Sequence, residues 1–147
     1  MDEVWKKIFG FWSLISWESF AKDGSTVFPL GRDALGQLMY TADGHVSAQL
    51  VRADLQPFGS DDYREATLTE MTTAWPNYFG YFGTYTIDAG NAAITHHIES
   101  GWFPNLAGTE QARYFHFDAE RLVLDADTPW DRVKLIWERA RRSSVAP

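Results

Sequence analysis

Short runs in which apolar and polar residues alternate, separated by Gly, Asp and Asn, make up most of the chain. FWSLISWESF (11–20), GQLMYT, HVSAQLV, YFGTYTID, AAITHHIES, EQARYFHFD, RLVLDAD and DRVKLIWER each have the period of two, and the β-branched and aromatic content, of half-buried strands. With TVFPLG as a short edge piece limited by its proline, they predict about eight or nine strands, mostly joined as hairpins. Asp43-Gly44 suits the tight turn between GQLMYT and HVSAQLV. One stretch, near 60–80, departs from this pattern. There Thr67 and Glu70 have capping-box spacing, and Met71, Trp75, Tyr78 and Phe79 recur at helical intervals, predicting a short amphipathic helix ended or kinked by Pro76. Such a helix can lie across a barrel mouth as a lid or pack on its outside. Trp5, Ile8 and Phe9 predict a second, short helix at the N-terminus, placed as a plug.

So many strands, with so little helix to cover a flat sheet, leave exposed edges unless the sheet closes on itself. The expected fold is therefore all-β, a closed up-and-down antiparallel barrel forming a single domain over residues 1–140, followed by a disordered basic tail, 141–147. A barrel of about eight strands has room inside for side chains or one small ligand.

Strand parity then selects the inward residues. Neighbours in a strand point to opposite faces, so the adjacent His96 and His97 of ITHHIE cannot share a pocket. Ile94 and Ile98 accompany His96, which makes it the inward one. A hairpin closing through AGNA places Tyr85 across from His96, and one register of the next pair places Arg113 across from it too. Tyr85, His96 and Arg113 then form a polar row. With a two-residue turn at Ala119-Glu120, Leu122 faces Phe117 and Leu124 faces Phe115, which also puts Arg113 inside and sends Tyr114 and His116 out. An interior guanidinium needs compensation, from Glu18, from a bound anion or from water. Glu18 is an inward carboxylate because it shares parity with Trp12, Leu14 and Ser16. On the last strand Val133, Leu135, Trp137 and Arg139 share a face, and Arg139 can stack on Trp12 to seal the closed end.

Composition narrows the chemistry. A formal net charge of -7 disfavours a general nucleic-acid binder, which needs a basic face. Zero cysteines remove disulfides, thiolate metal sites and thiol catalysis. A charged N-terminus and no apolar run long enough to span a bilayer suggest a cytoplasmic chain that does not engage membranes. There is no nucleophile elbow, P-loop or H-E-x-x-H, and His45, His96, His97 and His116 lack zinc-ligand spacing. Neither metal nor cofactor is expected. Aromatics reach 16%, with 7 Trp, 6 Tyr and 10 Phe, enough to line a cavity as well as fill a core.

Gly10-Phe11-Trp12, with Trp137 and Arg139 on the last strand, resembles the Gly-x-Trp motif and closing Arg of lipocalins. The longer segments GQLMYTADGHVSAQL, YFGTYTID, ITHHIESGWFPNLAGTEQARYF and RLVLDADTPW resemble the bacterial and fungal lipocalin-like domain family, a likeness running from about Gly10 to Arg139. It implies a β-barrel with a central calyx for a small, largely apolar molecule. Small barrels of similar shape in natural-product pathways act as cofactor-free cyclases or isomerases, an analogy of shape alone.

Three readings follow. In the first, Leu14, Tyr40, Phe115, Trp137 and Trp75 line an aromatic calyx, and Tyr85, His96 and Arg113 orient a polar group of a hydrophobic ligand. In the second, the same pocket is a cofactor-free cyclase, isomerase or dehydratase of a polyketide- or terpenoid-like pathway. His96 is then the acid or base, Tyr85 and Arg113 stabilise an oxyanion, and Glu18 completes the set. In the third, the barrel is filled and the polar row only fixes register, leaving a structural or partner-binding domain. The sequence is compatible with a homodimer.

Overall fold

The computed structural model describes residues 3–145; Met1, Asp2 and the last two positions of the expected tail lie outside the described residues. Nine strands occur among these residues: β1 Gly10–Phe20, β2 Thr26–Val27, β3 Leu35–Tyr40, β4 His45–Val51, β5 Tyr78–Asp88, β6 Ala93–Gly101, β7 Glu110–Asp118, β8 Arg121–Asp127 and β9 Arg132–Arg139. Each pairs antiparallel with its neighbours, and β1 also pairs with β9, so the sheet closes. β2 lies outside the ring and pairs only with the end of β1. The closed, mostly hairpin-linked barrel is the expected one.

Two helices flank it, α1 Glu3–Ile8 and α2 Leu68–Ala74. The expected capping box is present on α2, where Thr67 and Glu70 each bond the other's backbone N–H. The apolar repeat nevertheless does not continue as one helical stripe. After Ala74 the chain tightens into a short 3₁₀ turn at Pro76, and Tyr78 and Phe79 already belong to β5. Pro76 cannot donate to the helical ladder, so the helix stops there.

The two ends of the barrel differ in their connections. At one end the β3–β4, β5–β6 and β7–β8 hairpins turn tightly, and α1 lies across the opening with Ile8 fully buried. Trp12 is 1% exposed there and donates its indole N–H to the Ile8 carbonyl at 2.8 Å. Arg139 stacks over the Trp12 ring at 4.0 Å and donates to the carbonyls of Phe9 and Lys7. Gly10 is required by this seal: its φ is +123°, and a Cβ would stand 2.5 Å from an Arg139 nitrogen. At the other end the β1–β3, β4–β5 and β6–β7 connections are long and only β8–β9, through 128–131, is short; α2 and the 102–109 loop belong to this rim.

A bulge in β1 corrects one expectation. The β1–β9 register shifts between Leu14 and Ser16, so Ile15 is an extra residue and the alternation changes phase. Trp12 and Leu14 point inward before it; Trp17 and Ser19, paired with Leu135 and Val133, point inward after it. Glu18 therefore lies on the outer face, opposite Lys134, and is not an inward carboxylate.

Candidate functional site

The core fills the plugged end and leaves a cavity of about 190 Å³ behind the other. Its wall is mainly apolar, with Leu38, Ala48, Leu50, Leu124, Leu135 and Trp137 from the strands and Phe79 and Leu106 toward the rim. These side chains come from the inward parity of successive strands, as a closed barrel requires. The polar lining consists of Tyr81, His96, Gln111, Arg113 and Thr128.

His96 is 1% exposed and both of its ring nitrogens are engaged. Nε2 lies 2.7 Å from the Tyr40 hydroxyl and Nδ1 lies 2.5 Å from the Tyr81 hydroxyl. Burial, helped by the charges of Arg113 and His97, holds its pKa down at about 3, so the ring is neutral at physiological pH. Burial also raises both phenols, Tyr40 well above the ordinary value, while the Arg113 guanidinium beside the Tyr81 hydroxyl partly offsets the effect there. The result is a buried Tyr–His–Tyr chain, neutral throughout, with one end on the cavity wall.

Arg113 lines the same cavity. Among the described residues it forms no ion pair; it donates to the Ala112 carbonyl at 3.1 Å, and its charge is felt by Tyr40, Tyr81 and His96. With Glu18 outside, the guanidinium faces the hollow without a carboxylate. Two other lining residues, Trp17 and Trp137, carry buried indole N–H groups with no acceptor among the described residues. The wall thus holds more donors than its own acceptors satisfy.

The expected residues fall into three groups. His96, Arg113 and Trp137 do line the cavity. Tyr40 stands behind His96 as its partner, and Leu14 and Phe115 belong to the packed core without reaching the hollow. Tyr85 pairs with His96 across the strands as expected, yet its hydroxyl donates to the Thr41 carbonyl at 2.7 Å, at the plugged end. The backbone pairing is right, but the side chain bonds elsewhere. Trp75 is 52% exposed and reaches the cavity only through Trp102, on which it packs, and Phe79 beyond. No α2 side chain lines the hollow. Arg113 lies opposite Ile94, and Gln111 takes the place opposite His96, a register two residues from the expected one. The long β6–β7 connection fixes no tight-turn register; the parity, which decides the face, is unchanged.

Sequence reasoning missed three polar lining residues: Thr128 in the β8–β9 turn and, on the strands, Tyr81 and Gln111. Each of the two strand residues shares a face with a residue it did select, Tyr81 with Gly83 and Tyr85, and Gln111 with Arg113. His97 points outward, as expected, bonding Thr86 and Glu110 on the outer face.

A ring of strands plugged at one end and hollow behind the other defines a calyx, the architecture of barrels that hold small molecules. The chain belongs to the lipocalin-like domain family, whose model matches residues 9–144. No curated protein matches it. Among the described residues no helix is long and apolar enough to cross a membrane, and no cluster of three or more His, Cys, Asp or Glu could hold a metal ion.

Proposed function

We propose that this barrel binds a small hydrophobic molecule with one polar end, the body against Leu38, Leu50, Leu124 and Leu135 and the polar end toward Arg113, His96 and Tyr81. The observation that carries this reading is the hollow itself, mostly apolar in wall and holding one guanidinium without a carboxylate partner. A cavity of about 150 Å³ accommodates benzene. At about 190 Å³ this one suits a single ring with a short side chain.

The cyclase, isomerase or dehydratase reading has weaker support. It assigns proton transfer to His96, whose nitrogens are both occupied by buried phenols and whose low pKa makes it a poor base and keeps its acid form from being populated. A positioning role suits those features better.

Trp17 and Trp137 supply the signal for a test. Titration with phenylpropanoate is expected to change tryptophan fluorescence saturably. Ala48→Phe, which fills the cavity, is expected to abolish that change while the protein stays folded by circular dichroism. Equal binding by Ala48→Phe and the parent would reject the calyx as the site.

A further inference from the structure

A neutral imidazole has one N–H, so the Tyr40–His96–Tyr81 chain has two arrangements of protons. The surroundings choose between them. Tyr40 is 1% exposed, and among the described residues the only hydrogen-bond partner of its hydroxyl is His96 Nε2. If Nε2 carried the proton it would donate to Tyr40, and the Tyr40 O–H would be stranded in the core with no acceptor. Burying an unsatisfied donor is strongly disfavoured, so Tyr40 donates to Nε2 and the ring proton sits on Nδ1. Nδ1–H then donates to the Tyr81 oxygen. The Arg113 guanidinium stands near that oxygen and its charge acts on it. The Tyr81 oxygen is thereby the acceptor in its bond to the ring, its own O–H has no acceptor among the described residues, and the residue lines the cavity.

We infer that this chain makes Tyr81 an obligate donor to the ligand, so that the site selects a hydrophobic molecule ending in a carboxylate, held jointly by Tyr81 and Arg113, and rejects one ending in an ammonium. The inference rests on the calyx reading and adds to it the chemical class of the ligand. His96 acts as a positioning residue: both of its ring nitrogens are engaged by the phenols, leaving none for a ligand, and it sets the direction in which Tyr81 donates. The unpartnered indole N–H groups of Trp17 and Trp137 add to the same excess of donors.

Three probes of one shape separate the possibilities: propylbenzene, phenylpropanoate and phenylpropylamine. At neutral pH phenylpropanoate is expected to bind about tenfold or more tightly than propylbenzene, and the amine more weakly than either. Tyr81→Phe is expected to erase most of the preference for phenylpropanoate over propylbenzene, measured as the ratio of the two affinities in the same variant, which a merely structural role for Tyr81 would not do. Nitrogen NMR of histidine-labelled parent protein gives a second readout, with the His96 signals identified by their absence in His96→Asn. Nε2 is expected at the position of an unprotonated ring nitrogen and Nδ1 at that of a protonated one. A proton on Nε2, or propylbenzene and phenylpropanoate binding equally, overturns the relay and leaves the calyx standing. Failure of all three probes to bind overturns the calyx reading, and with it the ligand class assigned here.

Discussion

The two ends of this barrel are made from the same strands but are packed differently. At the plugged end, tight turns bring the strands together and large side chains fill the interior. Trp12, Ile8 and Tyr40 are essentially inaccessible, and Arg139 answers two backbone carbonyls while covering an indole. At the other end, three long connections and one short turn hold the rim, the interior is hollow, and among the described residues a guanidinium lacks a carboxylate and two indole N–H groups lack acceptors. Full packing and satisfied polar groups stabilise; a hollow with unmet donors gives up stability and gains capacity to bind. With the proposed function, the contrast assigns folding to one half and ligand handling to the other.

The sharpest way to break this division is to weaken the plugged half. Trp12→Ala removes a fully buried indole and its hydrogen bond, and should cost about 3–5 kcal/mol in urea unfolding. Phe79→Ala at the rim, where the side chain is partly exposed, should cost clearly less and change probe binding instead. Similar losses at both ends would dissolve the distinction.

A second, smaller effect concerns pH. Below neutrality the unfolded imidazole takes up a proton with its ordinary pKa of 6.5, whereas folded His96 does not until about 3. The unfolded state therefore binds more protons in that window, and stability falls as pH drops through it. Between pH 7 and pH 5 the His96 contribution should amount to about 2 kcal/mol. His96→Asn should flatten the stability–pH curve by that amount; an unchanged slope would contradict the buried, neutral ring.

Arg113→Gln sharpens the comparison from the open half. It should weaken phenylpropanoate binding about tenfold, near 1.4 kcal/mol, while leaving unfolding free energy unchanged or slightly raised, since no ion pair is lost. The smallest effect is expected outside. His97→Ala should alter stability by less than about 0.5 kcal/mol and binding not at all, because its partners Thr86 and Glu110 lie on the outer face.

Much of this division was legible in the sequence, for physical reasons that differ by residue. Where a tight turn links two strands, pairing follows from counting, and Tyr85–His96, Phe117–Leu122 and Phe115–Leu124 all pair as the turns dictate. Arg113 kept its inward face despite a register two residues off, because an even slip preserves parity. Glu18 did not, because a single bulged residue, Ile15, inverts everything beyond it. Nothing in FWSLISWESF marks that bulge, and Trp17 was hidden by the same inversion. The partners of His96 were hardest to read. Strand pairing places Tyr85 beside it, but side-chain reach decides the bond, and Tyr40 and Tyr81 lie closer.

The division between the halves is tested most directly by methyl NMR of the protein titrated with phenylpropanoate. The account predicts saturable shifts at the leucine and alanine methyls around the hollow, Leu38, Ala48, Leu124 and Leu135, and none at Ile8, Ile94 or Leu122 in the plugged half. Shifts confined to the outer face, or spread evenly through both halves, would contradict it.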